Sequence, residues 1–155
     1  MKEKIKMKHF AKITLVTVGL LAIDQMAKYF AKEILETPVV LINNLLKLEY
    51  VENTGIAFSL PVPYLFIIVS NIFLMGLLIY LAVSELNLSN ILAQIATSLL
   101  IAGGLGNLID RLMHGFVIDF VSVYKYPFFN LADAYIIAAV LLLVIFYGKI
   151  KQAKK

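Results

Sequence analysis

The sequence predicts an all-α polytopic membrane protein: four transmembrane helices with a small β element on the outer face. Three observations lead there. Of the 155 residues, 61% are hydrophobic and only 15% charged, with a mean hydropathy of +0.89, well beyond the needs of a soluble domain of this size. Four apolar stretches, about 10–31, 64–83, 91–109 and 131–147, come close to the roughly 20 residues that cross a hydrocarbon core. Two mixed segments, 36–63 and 110–130, separate them as outer loops. The spans and their connections take up residues 1–155 as a single integral membrane domain.

The first span follows Lys2, Lys4, Lys6, Lys8 and Lys12. No small-residue cleavage site follows the apolar run 13–23, so an uncleaved helix is expected rather than a signal peptide. Asp24 lies about 18 Å beyond Lys12 along a helix, in the outer half of a core roughly 30 Å thick. Lys28 is one turn further on the same face, in the favourable acid-before-base order.

In the first outer segment, 39–42 is rich in β-branched residues, Asn43-Asn44 suits a turn, and 46–52 alternates apolar with polar. That pattern predicts a hairpin. The second span is unbroken, and the short loop 84–90 after it carries Glu85 and no lysine. Gly103, Gly104 and Gly106 in the third span have no preceding strand, so close helix packing explains them better than a phosphate loop. That span runs outward and delivers Asp110 and Arg111 to the outer surface. Residues 116–124, rich in β-branched and aromatic side chains, suggest a further strand. Asp133 falls in the first turn of the last span, which ends at Lys149, Lys151, Lys154 and Lys155. Lysines at both ends place both termini in the cytoplasm. They also account for the net charge of +4, which forms no nucleic-acid-binding face.

All four aspartates of the chain, Asp24, Asp110, Asp119 and Asp133, converge towards one membrane face, with Asn53, Asn107 and Asn130 at the same level. Carboxylates at membrane depth cost a few kcal/mol or more and mark functional sites. Each also has an ordinary reading. Asp24 and Lys28 form a structural ion pair, Asp110-Arg111 a helix terminator, Asp119 a loop acid and Asp133 a charge favoured by the helix dipole. Their co-location shifts the balance towards function. Arg111, the only arginine, is expected to anchor Asp110 or another buried carboxylate.

Several chemistries drop out. There is no cysteine, hence no disulfide or thiolate chemistry. His9 and His114 fall on opposite membrane sides, and no H-E-x-x-H or serine–histidine setting occurs, so no metal or cofactor is expected. A pair of aspartates remains as the hydrolytic option. Two other functions stay open: a proton-coupled transporter component, whose acids would spread over several depths, and a non-enzymatic scaffold, which would tolerate Asp→Asn changes.

Five segments, in order and over almost the whole chain, resemble bacterial lipoprotein signal peptidase (signal peptidase II). They are Asp24 with Lys28, Asn53-Thr-Gly-Ile-Ala-Phe-Ser59, Gly103-Gly-Leu-Gly-Asn-Leu-Ile-Asp-Arg111, Val117-Ile-Asp-Phe120 and Phe129-Asn-Leu-Ala-Asp133. The resemblance implies a membrane-embedded aspartic endopeptidase of the bacterial plasma membrane. It would cleave prolipoproteins before a cysteine carrying a diacylglyceryl group and would be inhibited by globomycin-type cyclic peptides. It casts Asp119 and Asp133 as the catalytic pair. Asp24, Lys28, Asn53, Gly55, Gly104, Asn107, Asp110, Arg111, Asn130 and Ala132 become supporting positions. The stretch between the two catalytic acids is a few residues shorter than the family pattern. Two such acids side by side hold one proton between them near neutrality and titrate as a unit.

Overall fold

The apolar stretches fold into helices longer than their hydropathy marks. The computed structural model describes residues 2–55, 62–124 and 127–152, with backbone only for 2–6. Helix α1 spans Lys2–Ile34, α2 Tyr64–Glu85, α3 Ile91–His114 and α4 Leu131–Ile150. All four are long and apolar enough to cross a membrane. Lysine is a good helix former, so α1 extends back through the basic start. Helix α3 continues past 109 because nothing stops it before Gly115. There φ is 85° and the N–H caps back onto the Arg111 carbonyl, a backbone conformation that glycine adopts without steric cost. Asp110 and Arg111 therefore ride the last turns of a helix rather than a loop.

Helix α3 is the central one. Its Ala93, Ala96, Ala102, Gly103 and Gly106 are buried, small enough for α1 and α4 to close on it. A Cβ on Gly103 would lie 2.5 Å from the Ala132 carbonyl oxygen of α4. One on Gly106 would lie 2.5 Å from Asp24 Oδ2 of α1 and 3.1 Å from Ala132 Cβ. The glycine cluster is thus where three helices meet, as close helix packing requires. Helix α2 leans on the bundle mainly through Ile67, Ile68 and Ala82. It leaves an apolar cavity of about 230 Å³ lined by Leu74, Met75, Leu78, Leu100, Gly104 and Ile136, among others.

Both predicted strand regions form. Strands β1 (Val39–Ile42), β2 (Leu46–Asn53) and β3 (Val117–Val123) make one antiparallel sheet in that order. The β1–β2 turn uses Asn44 at φ 58°, a left-handed conformation that asparagine tolerates, and closes with Leu45 N–H on the Ile42 carbonyl at 3.0 Å. All four residues of β1 are exposed. Residues 56–59 of the second family-like segment lie outside the described residues, as do residues 125–126 of the connection between Asp119 and Asp133.

Candidate active site

The site is built on a buried ammonium. Lys28 Nζ lies 2.8 Å from Asp24 Oδ2, 2.9 Å from Asp110 Oδ2 and 3.2 Å from Asn107 Oδ1. Three N–H donors meet three acceptors. Backbone amides take up further carboxylate capacity: Ala132 N–H donates to Asp24 Oδ1 at 2.9 Å and Ile118 N–H to Asp110 Oδ2 at 3.1 Å. The i,i+4 pair expected in α1 is present, and it also ties α3, the start of β3 and the first turn of α4 together.

Arg111 is expected to anchor Asp110 or another buried carboxylate, but among the described residues it forms no ion pair, and Asp110 pairs with Lys28 instead. Adjacent residues on a helix do not share a face, so Arg111 points elsewhere. Its guanidinium donates to the carbonyls of Asn107 and Gly55, both at 3.4 Å. Gly55 N–H in turn donates to Asn53 Oδ1 at 3.1 Å, so Arg111 holds the chain where it leaves β2. Gln25, which belongs to none of the motifs, joins the cluster. Its Nε2 donates to Asp110 Oδ1 at 3.0 Å and lies 3.3 Å from Asp24 Oδ2. A glutamine amid an apolar span was the available signal.

Asp119 sits in the middle of β3, opposite Val51 of β2, with Asn53 two residues further on the same side. The register shifts between Leu48 and Val51, a bulge of the kind that re-aims neighbouring side chains. Asn53 Nδ2 donates to Asp119 Oδ2 at 2.9 Å. Beyond β3 the chain turns and comes back, and Phe129 exchanges two 2.9 Å backbone hydrogen bonds with Val121. That return delivers Asn130, whose Nδ2 reaches Asp119 Oδ1 at 2.8 Å. Asn130 is also the N-cap of α4. Its Oδ1 accepts from Asp133 N–H at 3.0 Å while its own N–H donates to Asp133 Oδ2 at 3.3 Å, a reciprocal capping box.

Asn107 completes the ring. Its Nδ2 donates to Asp133 Oδ1 at 2.7 Å, and its Oδ1 accepts from Asn130 Nδ2 at 3.0 Å. Two amides therefore link the Asp119 and Asp133 carboxylates in one continuous network. Asp119 is 2% exposed, whereas Asp133 is half-buried. Burial pushes the Asp119 carboxyl up to about 6, with the Asn53 hydrogen bond opposing; the Asp133 charge adds to the rise, and Asn130 and Lys28 oppose it. A carboxyl titrating near neutrality beside a second, more open carboxyl is the equipment of general acid–base hydrolysis.

The structure thus gathers Asp24, Lys28, Asn53, Gly55, Asn107, Asp110, Arg111, Asp119, Asn130, Ala132 and Asp133 into one connected site. Gly104 is the exception. It faces Met75 of α2, whose sulfur would lie 2.8 Å from an added Cβ, and lines the apolar cavity instead. The four acids share one network rather than several depths, unlike a proton relay.

Residues 16–148 match the family model described as signal peptidase (SPase) II. The lipoprotein signal peptidase of Caldicellulosiruptor bescii is 37% identical over 132 residues, covering 83% of this chain and 85% of that one. The lipoprotein signal peptidase of Staphylococcus carnosus is 35% identical over 151 residues, covering 91% and 93%. Among solved structures, a bacterial membrane enzyme determined by the in meso method at 2.3 Å superposes with a TM-score of 0.78 at 29% identity, covering 94% of this chain and 95% of that one. With its ordered motifs assembled into a single site and this likeness running nearly end to end, the chain belongs to the signal peptidase II family.

Proposed function

We propose that Asp119 and Asp133 are the catalytic pair of this membrane-embedded aspartic endopeptidase. The family's reaction is removal of the signal peptide from prolipoproteins. The observation that carries the assignment is the amide-linked pairing of a buried acid that titrates near neutrality with a half-buried one. Asp133, in the first turn of α4 where negative charge is stabilising, acts as general base on a water that attacks the scissile carbonyl. Asp119 carries the shared proton, polarises the carbonyl and then protonates the leaving amine. Asn53, Asn107 and Asn130 orient the two carboxyls, and Arg111 with Gly55 positions the loop that borders them.

The scissile bond precedes a cysteine carrying a thioether-linked diacylglyceryl group. The apolar cavity between α2 and α3 ends at Gly104, one turn before Asn107, and supports a groove that leads apolar substrate towards the pair. Acyl chains are worth about 0.8 kcal/mol per CH₂ kept out of water, so an enzyme that meets them in the bilayer need not extract them. Membrane lipids border the spans, and globomycin-type inhibitors would occupy the same cleft. Both termini lie in the cytoplasm and the pair opens at the outer face of the bacterial plasma membrane. The lysines at both ends support this orientation, and so does the exposed apolar strand β1, which suits the outer headgroup region.

The test is prolipoprotein cleavage, read as a gel shift, by membranes holding Asp119→Asn or Asp133→Asn protein at wild-type level. Each should lose at least about 10²–10⁴-fold in turnover. Full activity in either variant removes the assignment.

A further inference from the structure

We infer that the end of the bundle opposite the catalytic pair binds one anionic glycerophospholipid, seated between α1 and the start of α3. Two neighbouring cavities are found there. One, about 200 Å³, is lined by His9, Asn87, Ser89 and Gln152 together with apolar residues. The other, about 130 Å³, has Lys12 and Gln94 at a groove otherwise made of Leu15, Val16, Ile91 and Ile95, with Ser98. Gln94 lines the second and hydrogen-bonds two residues that line the first. Its Nε2 donates to the Leu88 carbonyl at 2.8 Å, which fixes the orientation of the amide, because a carbonyl cannot donate. The same Nε2 lies 2.9 Å from His9 Nδ1, so that nitrogen is an acceptor and the neutral ring carries its proton on Nε2. His9 therefore has a donor to offer in the first cavity.

Lys12 is exposed and forms no ion pair or hydrogen bond among the described residues. Among the described residues, no acidic side chain lines either cavity. Near this end of the bundle the described charged side chains are Lys8, Lys12, Lys149 and Lys151 against Glu85. A cation with no partner among the described residues, a ring N–H and an apolar groove leading away from them match a phosphodiester headgroup with an acyl chain attached. A zwitterionic lipid would satisfy the groove but not the excess charge. The inference needs only that this end lies in a leaflet, and does not depend on the proteolytic reading.

Native mass spectrometry of the full chain, released from detergent with equal amounts of phosphatidylglycerol and phosphatidylcholine, tests it. Wild type should retain phosphatidylglycerol about 5-fold more than phosphatidylcholine, the factor one lysine near an anionic headgroup supplies. Lys12→Ala should bring the ratio to near unity, Lys12→Arg should keep it, and Ile95→Trp, which fills the groove, should cut retention of both lipids. Lys47→Ala, at the other end of the molecule, should match wild type. Equal retention of the two lipids by wild type, or an undiminished ratio in Lys12→Ala, overturns the site. Displacement of the lipid by free glycerol phosphate at equal concentration also overturns it, since the tail would then contribute nothing.

Discussion

Asn107 and Asn130 are joined by a 3.0 Å hydrogen bond between their side chains, and through it the acid on the sheet and the acid on the last helix share one scaffold. Each asparagine spends its other polar atoms on a carboxylate, a helix cap or the Lys28 ammonium. Neither amide can be removed without leaving charged groups short of partners.

Asn107→Ala removes the donor to Asp133 and an acceptor from both Asn130 and Lys28. With the base no longer aimed, kcat should fall about 10²-fold, the scale of a 1 Å misplacement, with little change in KM. A raised KM at unchanged kcat would move Asn107 from orienting the base to binding substrate.

The pH profile should report Asp119. Its carboxyl titrates at about 6, and the mechanism uses its protonated form, so kcat/KM should decline as pH rises through that region. The Asn53 hydrogen bond holds the value down. Asn53→Ala should therefore move the declining limb to higher pH, even as overall activity drops. A limb that stays in place would show that Asp119 is not the acid.

Lys28→Met should destabilise the fold by about 3–5 kcal/mol, because it leaves two buried carboxylates without their cation. Adding Asp24→Asn should recover part of the loss by removing one of those charges. Thermal unfolding in detergent measures both. A double variant less stable than Lys28→Met alone would show that Asp24 matters more as the acceptor for Ala132 than as a charge.

Gly106→Ala and Gly104→Ala should differ. The first drives a methyl group towards Asp24 Oδ2 and Ala132 Cβ, groups fixed by the ion cluster and the α4 backbone, at a cost of about 1–3 kcal/mol. The second meets only the Met75 thioether, which has rotamers to spare. Folded yield from membranes should fall clearly for Gly106→Ala and little for Gly104→Ala.

Where the chain carries a periodic or local signal, the structure follows the sequence closely. The four helices, the Asn43-Asn44 turn, the strand around Asp119 and the Asp24–Lys28 pair were each legible from nearby residues. What stayed hidden was long-range. Nothing in a window around Arg111 reveals that Lys28 would claim Asp110, because that choice is made by how α1 packs on α3. Gln25 lacked a motif to mark it. The reach of α3 to His114 was masked by the charged residues that end its hydropathic stretch, though Gly115 was a legible stop. The double duty of Asn130, as helix cap and as partner of Asp119, depends on the return of Phe129 to β3, and the connecting residues do not announce that pairing.

The i,i+4 placement of Asp24 and Lys28 also bears on biogenesis. Helix α1 leaves the ribosome long before Asp110, Asn107 or Ala132 exist, since chains emerge from the N-terminus first. A lone carboxylate or ammonium would then face lipid during translocation, a cost of about 2.5–3.5 kcal/mol each. Because each is the other's neighbour one turn away, the first helix can enter the bilayer as a self-neutralised dipole, and its later partners need only dock onto charges already in place.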